Sequence, residues 1–577
     1  MKICTIKTSA IALLAAATAP LTLAAKTGDR FESDGIFYEV LSEQELTVEV
    51  ARGEYLYDEE EGETYSYTGD IVIPPTVEYD GKTYTVTAIG DFAFCMWDFP
   101  AGGSDNYFHH EPNILGEGIS SISIPSTVTS IGLHAFLGCV KLTSIIIPES
   151  VTEIDDSAFA YCSSLSDVNL PSSLQVISGN MFEECSSLEH IDIPASVTYI
   201  GYQAFCGCSS LKELTIPESV TTISDMAFYF CTSLTSINIP AALTSIEETA
   251  FNNCSSIENF IVDAGNTALL SLDGVVYDRE MTALLHFPAA RTGSFTIPEN
   301  VTMIGNYSFS YCQNLEEIII PESVTAIGWG AFQGCKSLKS MTIPQNVASI
   351  EFHAFSGCSS LEQILLPQMI TSIKDGCFSY CSNLQTILIP ESVTSIERFA
   401  FEECTSLTSI NLPDGLTTIG DRAFLNCSSL KEIHFPTSLK DVTYLPFTSC
   451  TGFTDVYCYW EEPLYFNPDF PECVYKNATL HVPESSFIKY INCNPWSRFH
   501  NYAPMAGIDD IKACDFRVKA IDGCIIVEGA EDAGAAEIRV TDLSGRTVYA
   551  GRDTHIGPLP QGLYIVTAGP ATLKIRL

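Results

Sequence analysis

The sequence predicts a repeat solenoid with a parallel sheet along one face, followed by a small all-β sandwich. Three observations carry this. Cys139, Cys162, Cys185, Cys208, Cys231 and Cys254 are 23 residues apart, and so are Cys312, Cys335, Cys358, Cys381, Cys404, Cys427 and Cys450. A fixed period of about 20–50 residues marks a stack of like units. The apolar residues around each cysteine recur in the same places. From about Gly507 the period ends, and short apolar runs separated by Gly-bearing turns replace it.

In chain order, residues 1–25 read as an export leader: Lys2 and Lys7, an apolar run from Ala10 to Ala19, then Pro20 and small residues to a cleavage point near Ala24 or Ala25. Cys4 precedes the apolar run, so it is not a lipid-bearing cysteine after a leader. No later stretch reaches about 18 apolar residues, so the expectation is an exported chain with no transmembrane segment. Residues 26–118 read as an N-terminal cap with a degenerate first repeat and a loop. Asp91-Phe92-Ala93-Phe94 begins a repeat ending, but Trp97 stands where a cysteine is expected. Residues 58–63 hold five acids in six positions, a solvated hairpin tip.

Residues 119–254 and 298–450 are the regular repeats. In the unit from Leu142 to Phe159, Ile145 and Ile147 alternate as a short strand with one face inward. Pro148 cannot donate to a ladder and ends it. Ser150 is expected to bond local backbone at the bend. Val151, Ile154, Ala158 and Phe159 point back inside, and Cys162 closes the turn. One unit has no core of its own; stacking makes a continuous one. Residues 255–297 form a variant repeat in which Asp273-Gly274 supplies a hairpin turn. Residues 451–506 form a C-terminal cap. Residues 507–577 form the sandwich, with strands expected at Cys524 to Val527, Ile538 to Leu543, Thr547 to Tyr549 and Leu563 to Val566.

Composition narrows the function. With 28 Lys+Arg against 71 Asp+Glu, the net charge is −43. Such a chain repels phosphate backbones and anionic lipid, so nucleic acid is excluded as a partner. Apolar residues make up 46%, which rules out disorder for the bulk of the chain.

The phrase L-x-x-I-x-I-P-x-S-V-T-x-I-G-x-x-A-F-x-x-C recurs about thirteen times over about 350 residues. It resembles the BspA-type leucine-rich repeat family of bacterial surface proteins. The starts Gly35 to Val40 and Tyr84 to Gly90 resemble that family's N-terminal cap. Asp273 to Tyr277 and Leu284 to Pro288 resemble its hairpin-bearing repeat, and Leu480 to Pro483 with Trp496 to Phe499 resemble its C-terminal cap. The resemblance implies a curved solenoid, secreted or on the cell surface, that binds other proteins or cells and has no catalytic residues. Val540 to Arg546 and Leu559 to Val566, with Lys574 and Arg576 at the end, resemble the C-terminal sorting domain of type IX secretion cargo, which implies passage across an outer membrane.

Candidate chemistry is sparse. A metal site needs thiolates that converge; a linear ladder does not supply them. In-register cysteines point the same way, which suits bridging poorly, so a buried, reduced ladder is favoured over rung-to-rung disulfides. Cys206 and Cys377 lie off the ladder as small core fillers. Cys458, Cys473, Cys493, Cys514 and Cys524 leave room for one or two disulfides in the caps and sandwich. His109, His110 and Glu111 lie in a polar loop without a partner cluster, and His134, His190, His353 and His434 share no position in the repeat. There is no H-E-x-x-H, G-x-S-x-G or phosphate-binding loop. Asp167, Glu189, Asp192 and Glu213 make an acidic patch on an open face with no water-excluded pocket. No enzyme activity, cofactor or metal is expected.

The exposed column between the inward Ile positions is the better candidate. It reads Ser123, Ile146, Asn169, Asp192, Thr215, Asn238 and Ile261, then Ile319, Thr342, Leu365, Leu388, Asn411 and His434. The second half has aliphatics beside polar residues such as Gln363, a pattern that marks partner sites. The column has no Phe, Tyr or Trp, which weighs toward a protein ligand over a glycan. The expectation is therefore a secreted or surface adhesin-like protein. It would bind a protein or extracellular matrix component around Ile319, Thr342, Gln363, Leu365 and Leu388. Capture of glycan or peptide is the alternative.

Overall fold

The computed structural model describes residues 26–53, 55–58, 62–65, 67–95, 118–466, 468 and 470–505, and beyond these 517–521, 524–528, 538–542, 547–551, 555–557, 559, 563–568 and 571–576. The chain divides into two compact units, Met1–Ser392 with Glu397–Thr405, and Val393–Ile396 with Ser406–Leu577.

In the first unit the cap turns antiparallel pairing into a parallel ladder. Arg30–Ser33, Ile36–Ser42 and Thr47–Val50 pair antiparallel in series. Thr47–Val50 then pairs parallel with Lys82–Ile89, which pairs parallel with Ser130–Ile131. The buried Tyr67 hydroxyl secures the cap by accepting from the Phe37 amide at 2.9 Å and donating to the Ala51 carbonyl at 3.1 Å.

Most turns then contribute two short strands. One is the expected strand, as in Ser144–Ile146 against Asp167–Asn169 and Ser340–Thr342 against Gln363–Leu365. The other is a two-residue strand built by the T-x-I segment, as in Val176–Ile177, Tyr199–Ile200, Thr222–Ile223 and Ser245–Ile246, all parallel and in register. The sequence reading placed a sheet on one face; the structure carries a ladder on both, because the β-branched T-x-I segment is also extended and in register. At Leu188–Ile193 and Leu211–Ile216 the alternation persists without regular strand pairing: Ile191, Ile193, Leu214 and Ile216 are buried while Asp192 and Thr215 are exposed.

The core runs between the two ladders. Phe94, Phe136, Phe159, Phe182, Phe205, Phe228 and Phe251 form a stack with ring centroids 5.2–5.6 Å apart. A second stack runs through Phe309, Phe332, Phe355, Phe378 and Phe401. Beside them lie the cysteines. The Cys162 thiol donates to the Phe136 carbonyl at 3.2 Å, and the pattern repeats at Cys185, Cys208, Cys231 and Cys254. Ser150 corrects its expected role: its hydroxyl donates to the Val128 carbonyl of the preceding turn at 2.6 Å, not to its own bend. Ser219 and Ser323 do the same toward Val197 and Val301. These serines are inter-turn ties.

Most bends place two residues at positive φ, four apart, such as Ser157 with Tyr161 and Asn180 with Glu184. In the variant repeat Leu269–Leu272 and Val275–Asp278 form the expected hairpin. Asp273 and Gly274 have φ of 49° and 74°, the two positive values a two-residue type I′ turn needs.

In the second unit Glu432–Phe435, Asp455–Cys458, Thr479–Pro483 and Asn501–Met505 pair parallel in that order. Trp496 is fully buried beneath them, its ring 6.2 Å from Phe435 and 5.4 Å from Phe466. Farther on, two antiparallel sheets share an apolar cluster of Ile525, Ile538, Val540, Ile556, Tyr564 and Val566. The basic ending proves to be a strand, Ala571–Arg576, paired with Leu563–Ala568.

Candidate ligand-binding face

The candidate residues lie on two adjacent outward columns of the first unit, Ile319, Thr342, Leu365 and Leu388 on one and Gln363 on the other. Thr342 is in register with Leu365, and Ser340 with Gln363, which is in register with Thr386. Ile319 ends the strand Leu315–Ile319, and Leu388 follows Thr386–Ile387. The pleat puts their neighbours Ile318, Ile320, Ile364, Leu366, Ile387 and Ile389 in the core. Ile319 is 49% exposed and Leu388 43%, while Leu365 between them is half-buried. Thr342 and Gln363 are exposed. Ile146, at 76%, and Ile261, at 53%, are more exposed but stand apart among polar rungs. The aliphatic run is flanked by exposed Glu316, Glu317, Lys339 and Glu362.

Two of the four acids named from the sequence are paired. Glu189 bonds Lys212 of the next turn at 2.8 Å, and Asp192 bonds His190 at 3.0 Å. Among the described residues no three His, Cys, Asp or Glu side chains converge as a metal site, and no helix is long and apolar enough to cross a membrane. His109, His110, Glu111 and Trp97 lie outside the described residues, as do Cys4 and Cys514. The described cysteines from Cys95 to Cys458 are buried thiols, and Cys473 and Cys493 are thiols as well. Burial lifts the Glu49 carboxyl in the N-terminal cap to about 7, with Glu39 and Asp91 adding to the effect and Arg30 opposing it.

The second unit corrects the expectation of a column free of aromatic rings. From His434 the column continues through Tyr457 and His481, whose rings stack at 4.0 and 4.1 Å. His434 Nδ1 is 2.8 Å from the Tyr459 hydroxyl, and His481 Nε2 is 2.7 Å from Asp455. Burial lowers the pKa of His434, with Glu432 opposing. Burial works against the Asp455 carboxylate, but its hydrogen bonds with His481 and Thr454 outweigh this and hold its pKa below the usual range. One further period from His434 would have reached Tyr457. His481 escapes the count because the cap lengthens that turn to 24 residues.

Residues 115–204, 180–271, 286–404 and 371–462 match the family described as BspA type leucine rich repeat region, together more than half of the chain. The chain belongs to the BspA-type leucine-rich repeat family. Among solved structures, this BspA-type chain is similar to a leucine rich cell surface protein from Faecalibacterium prausnitzii A2-165. The two are 28% identical with a TM-score of 0.52, over 73% of this chain and 96% of that one. It is also similar to a leucine-rich repeat protein from Eubacterium ventriosum (27% identity, TM-score 0.42, 58% of this chain and 83% of that one). The pneumococcal vaccine antigen PcpA is 22% identical, with a TM-score of 0.47 over 84% of this chain and all of that one. No curated protein matches.

Proposed function

We propose that this BspA-type protein is exported and displayed on the cell surface, and that it acts as an adhesin-like binder of a protein ligand through the outward face of its first unit. The observation that carries the reading is the aliphatic run from Ile319 to Leu388, two side chains more than 40% exposed with Leu365 between them. Apolar side chains held in water on a rigid ladder and rimmed by polar groups gain most when a partner desolvates them. The leader read in residues 1–25 and the similarity to a protein named as a cell surface protein support display. The sorting-domain resemblance of the last strands supports an outer-membrane route. The test is solution binding of the full chain to purified extracellular matrix proteins and to a glycan array. Saturable binding to a protein, competed by antibody against the 315–390 face, supports the reading. Binding to glycans alone overturns it.

One observation favours glycan capture as a second reading: the His434–Tyr457–His481 column. Its rings cover one another's faces, so it offers edge donors and acceptors beside Glu432 and Asp455, a set suited to sugar hydroxyls. Loss of an array signal on Tyr457→Ala would support it.

A further inference from the structure

The variant repeat contains a shortened turn. The residue one period before Cys312 is Ala289, so the thiol that fills the ladder elsewhere is missing there. His286 and Phe287 together take the place of a single bend phenylalanine: His286 faces Phe251 at 6.4 Å and Phe287 faces Phe309 at 4.7 Å. The Phe287 amide still donates to the Ser308 carbonyl at 2.8 Å, so the turn docks normally and the deficit is in side-chain volume. A cavity of about 10 Å³ remains, lined by Asn252, Cys254, His286, Ala289, Ser308 and Ser310 among others.

Two hydroxyls in its wall are unsatisfied. Ser308 and Ser310 are 3% and 6% exposed, and neither Oγ has a hydrogen-bond partner among the described residues. Both departures are local. The position of Ser308 is Ala in most turns, as at Ala227, Ala250, Ala331 and Ala354, and of the regular repeats only this one has a hydroxyl there. In the column of Ser310, Ser356 and Ser379 satisfy each other at 2.8 Å. A buried hydroxyl without a partner is costly. A polar cavity of this size holds one water molecule, which needs two to four partners. No charged side chain lines the space, and the Cys254 thiol is already engaged with the Phe228 carbonyl, so an ion is disfavoured.

We propose that this cavity is an internal hydration site in which one water molecule bridges the Ser308 and Ser310 hydroxyls and fills the room left by the missing thiol. The test is a crystal structure of the full chain at a resolution that shows ordered solvent, repeated for Ser308→Ala/Ser310→Ala, with long-lived waters counted by ¹⁷O relaxation dispersion. Alanine at position 308 restores the usual residue of the repeat, so the variant is expected to fold. The expected result is one density peak within hydrogen-bond distance of both hydroxyls in the natural chain, absent from the double variant, with a count lower by one. An empty or xenon-filled cavity in the natural chain overturns the proposal. So does a water that persists in the double variant, or an unchanged count.

Discussion

The Cys231 thiol donates to the carbonyl oxygen of Phe205 in the preceding turn at 3.1 Å. This contact ties the cysteine column to the phenylalanine stack, thiol to carbonyl, and recurs along it. Burial pushes the Cys231 thiol well above its ordinary pKa. Since the thiolate is the reactive form, such cysteines are inert in the folded chain. Native labelling with a thiol reagent is expected to modify exposed Cys473 and partly exposed Cys493 promptly, and Cys231 and its ladder equivalents only on unfolding. Prompt modification of Cys231 by intact-protein mapping would contradict this packing.

Phe228 is fully buried between Phe205 and Phe251, at 5.2 and 5.3 Å. Replacing it with Ala removes contacts on both sides and leaves a cavity that the flanking ladders cannot close. The expected cost is about 3–5 kcal/mol. Chemical denaturation should show it, and unchanged unfolding would mean that the ring is not in the stack.

His286 makes stability depend on pH. Burial lowers its pKa to about 4, against an ordinary value of 6.5. Between these values the unfolded chain binds a proton that the folded chain refuses. The contribution is therefore fully present above about pH 6.5 and is lost as pH falls toward 4, up to about 3 kcal/mol. The wild-type chain and His286→Leu should differ in the slope of melting temperature against pH over this window, with the variant flatter. Parallel slopes would place His286 in contact with solvent.

The repeat was legible because one period fixes the place of every inward residue. Leu142, Ile145, Val151, Phe159 and Cys162 are all buried as their spacing requires. The bends were not legible. Their positive-φ positions hold Ser157, Gln203, Met226, Tyr161, Glu184 and Phe230 as readily as Gly138 or Gly207. Inter-turn bonds impose that conformation against local preference, at a cost of about 1–2 kcal/mol per non-glycine residue. The role of Ser150 was hidden for a related reason: its acceptor, the Val128 carbonyl, is near only after stacking. On the candidate face, the alternation gave the direction of Leu365 correctly but not its half-burial, which depends on the neighbouring rungs.

The proposed export would leave two marks in mass. The leader predicts a mature chain that begins near Ala25 or Lys26. If the last strands act as a sorting signal, the surface form also lacks roughly residues 507–577. Intact-mass measurement of the surface fraction reads both ends. A form that retains Leu577 would instead make the two C-terminal sheets a terminal module that stays with the chain.

The binding proposal turns on Ile319 and Leu388. Successive rungs lie about 4.8 Å apart, so these residues span three steps, roughly 15 Å, the scale of an interface core in which a few desolvated side chains dominate affinity. Because both are exposed, aspartate at either position stays hydrated in the free protein and costs little stability; Leu365, half-buried, is the poorer place for a charge. In a complex the same carboxylates would be driven out of water without partners. Ile319→Asp/Leu388→Asp should therefore melt within a few degrees of the wild type and bind a confirmed protein partner at least tenfold more weakly. The loss should reside mainly in the dissociation rate, because the −43 background already sets the encounter field. Unchanged affinity would move the site off this face, and a slower association with unchanged dissociation would mean that the aliphatics sit at the rim of the interface.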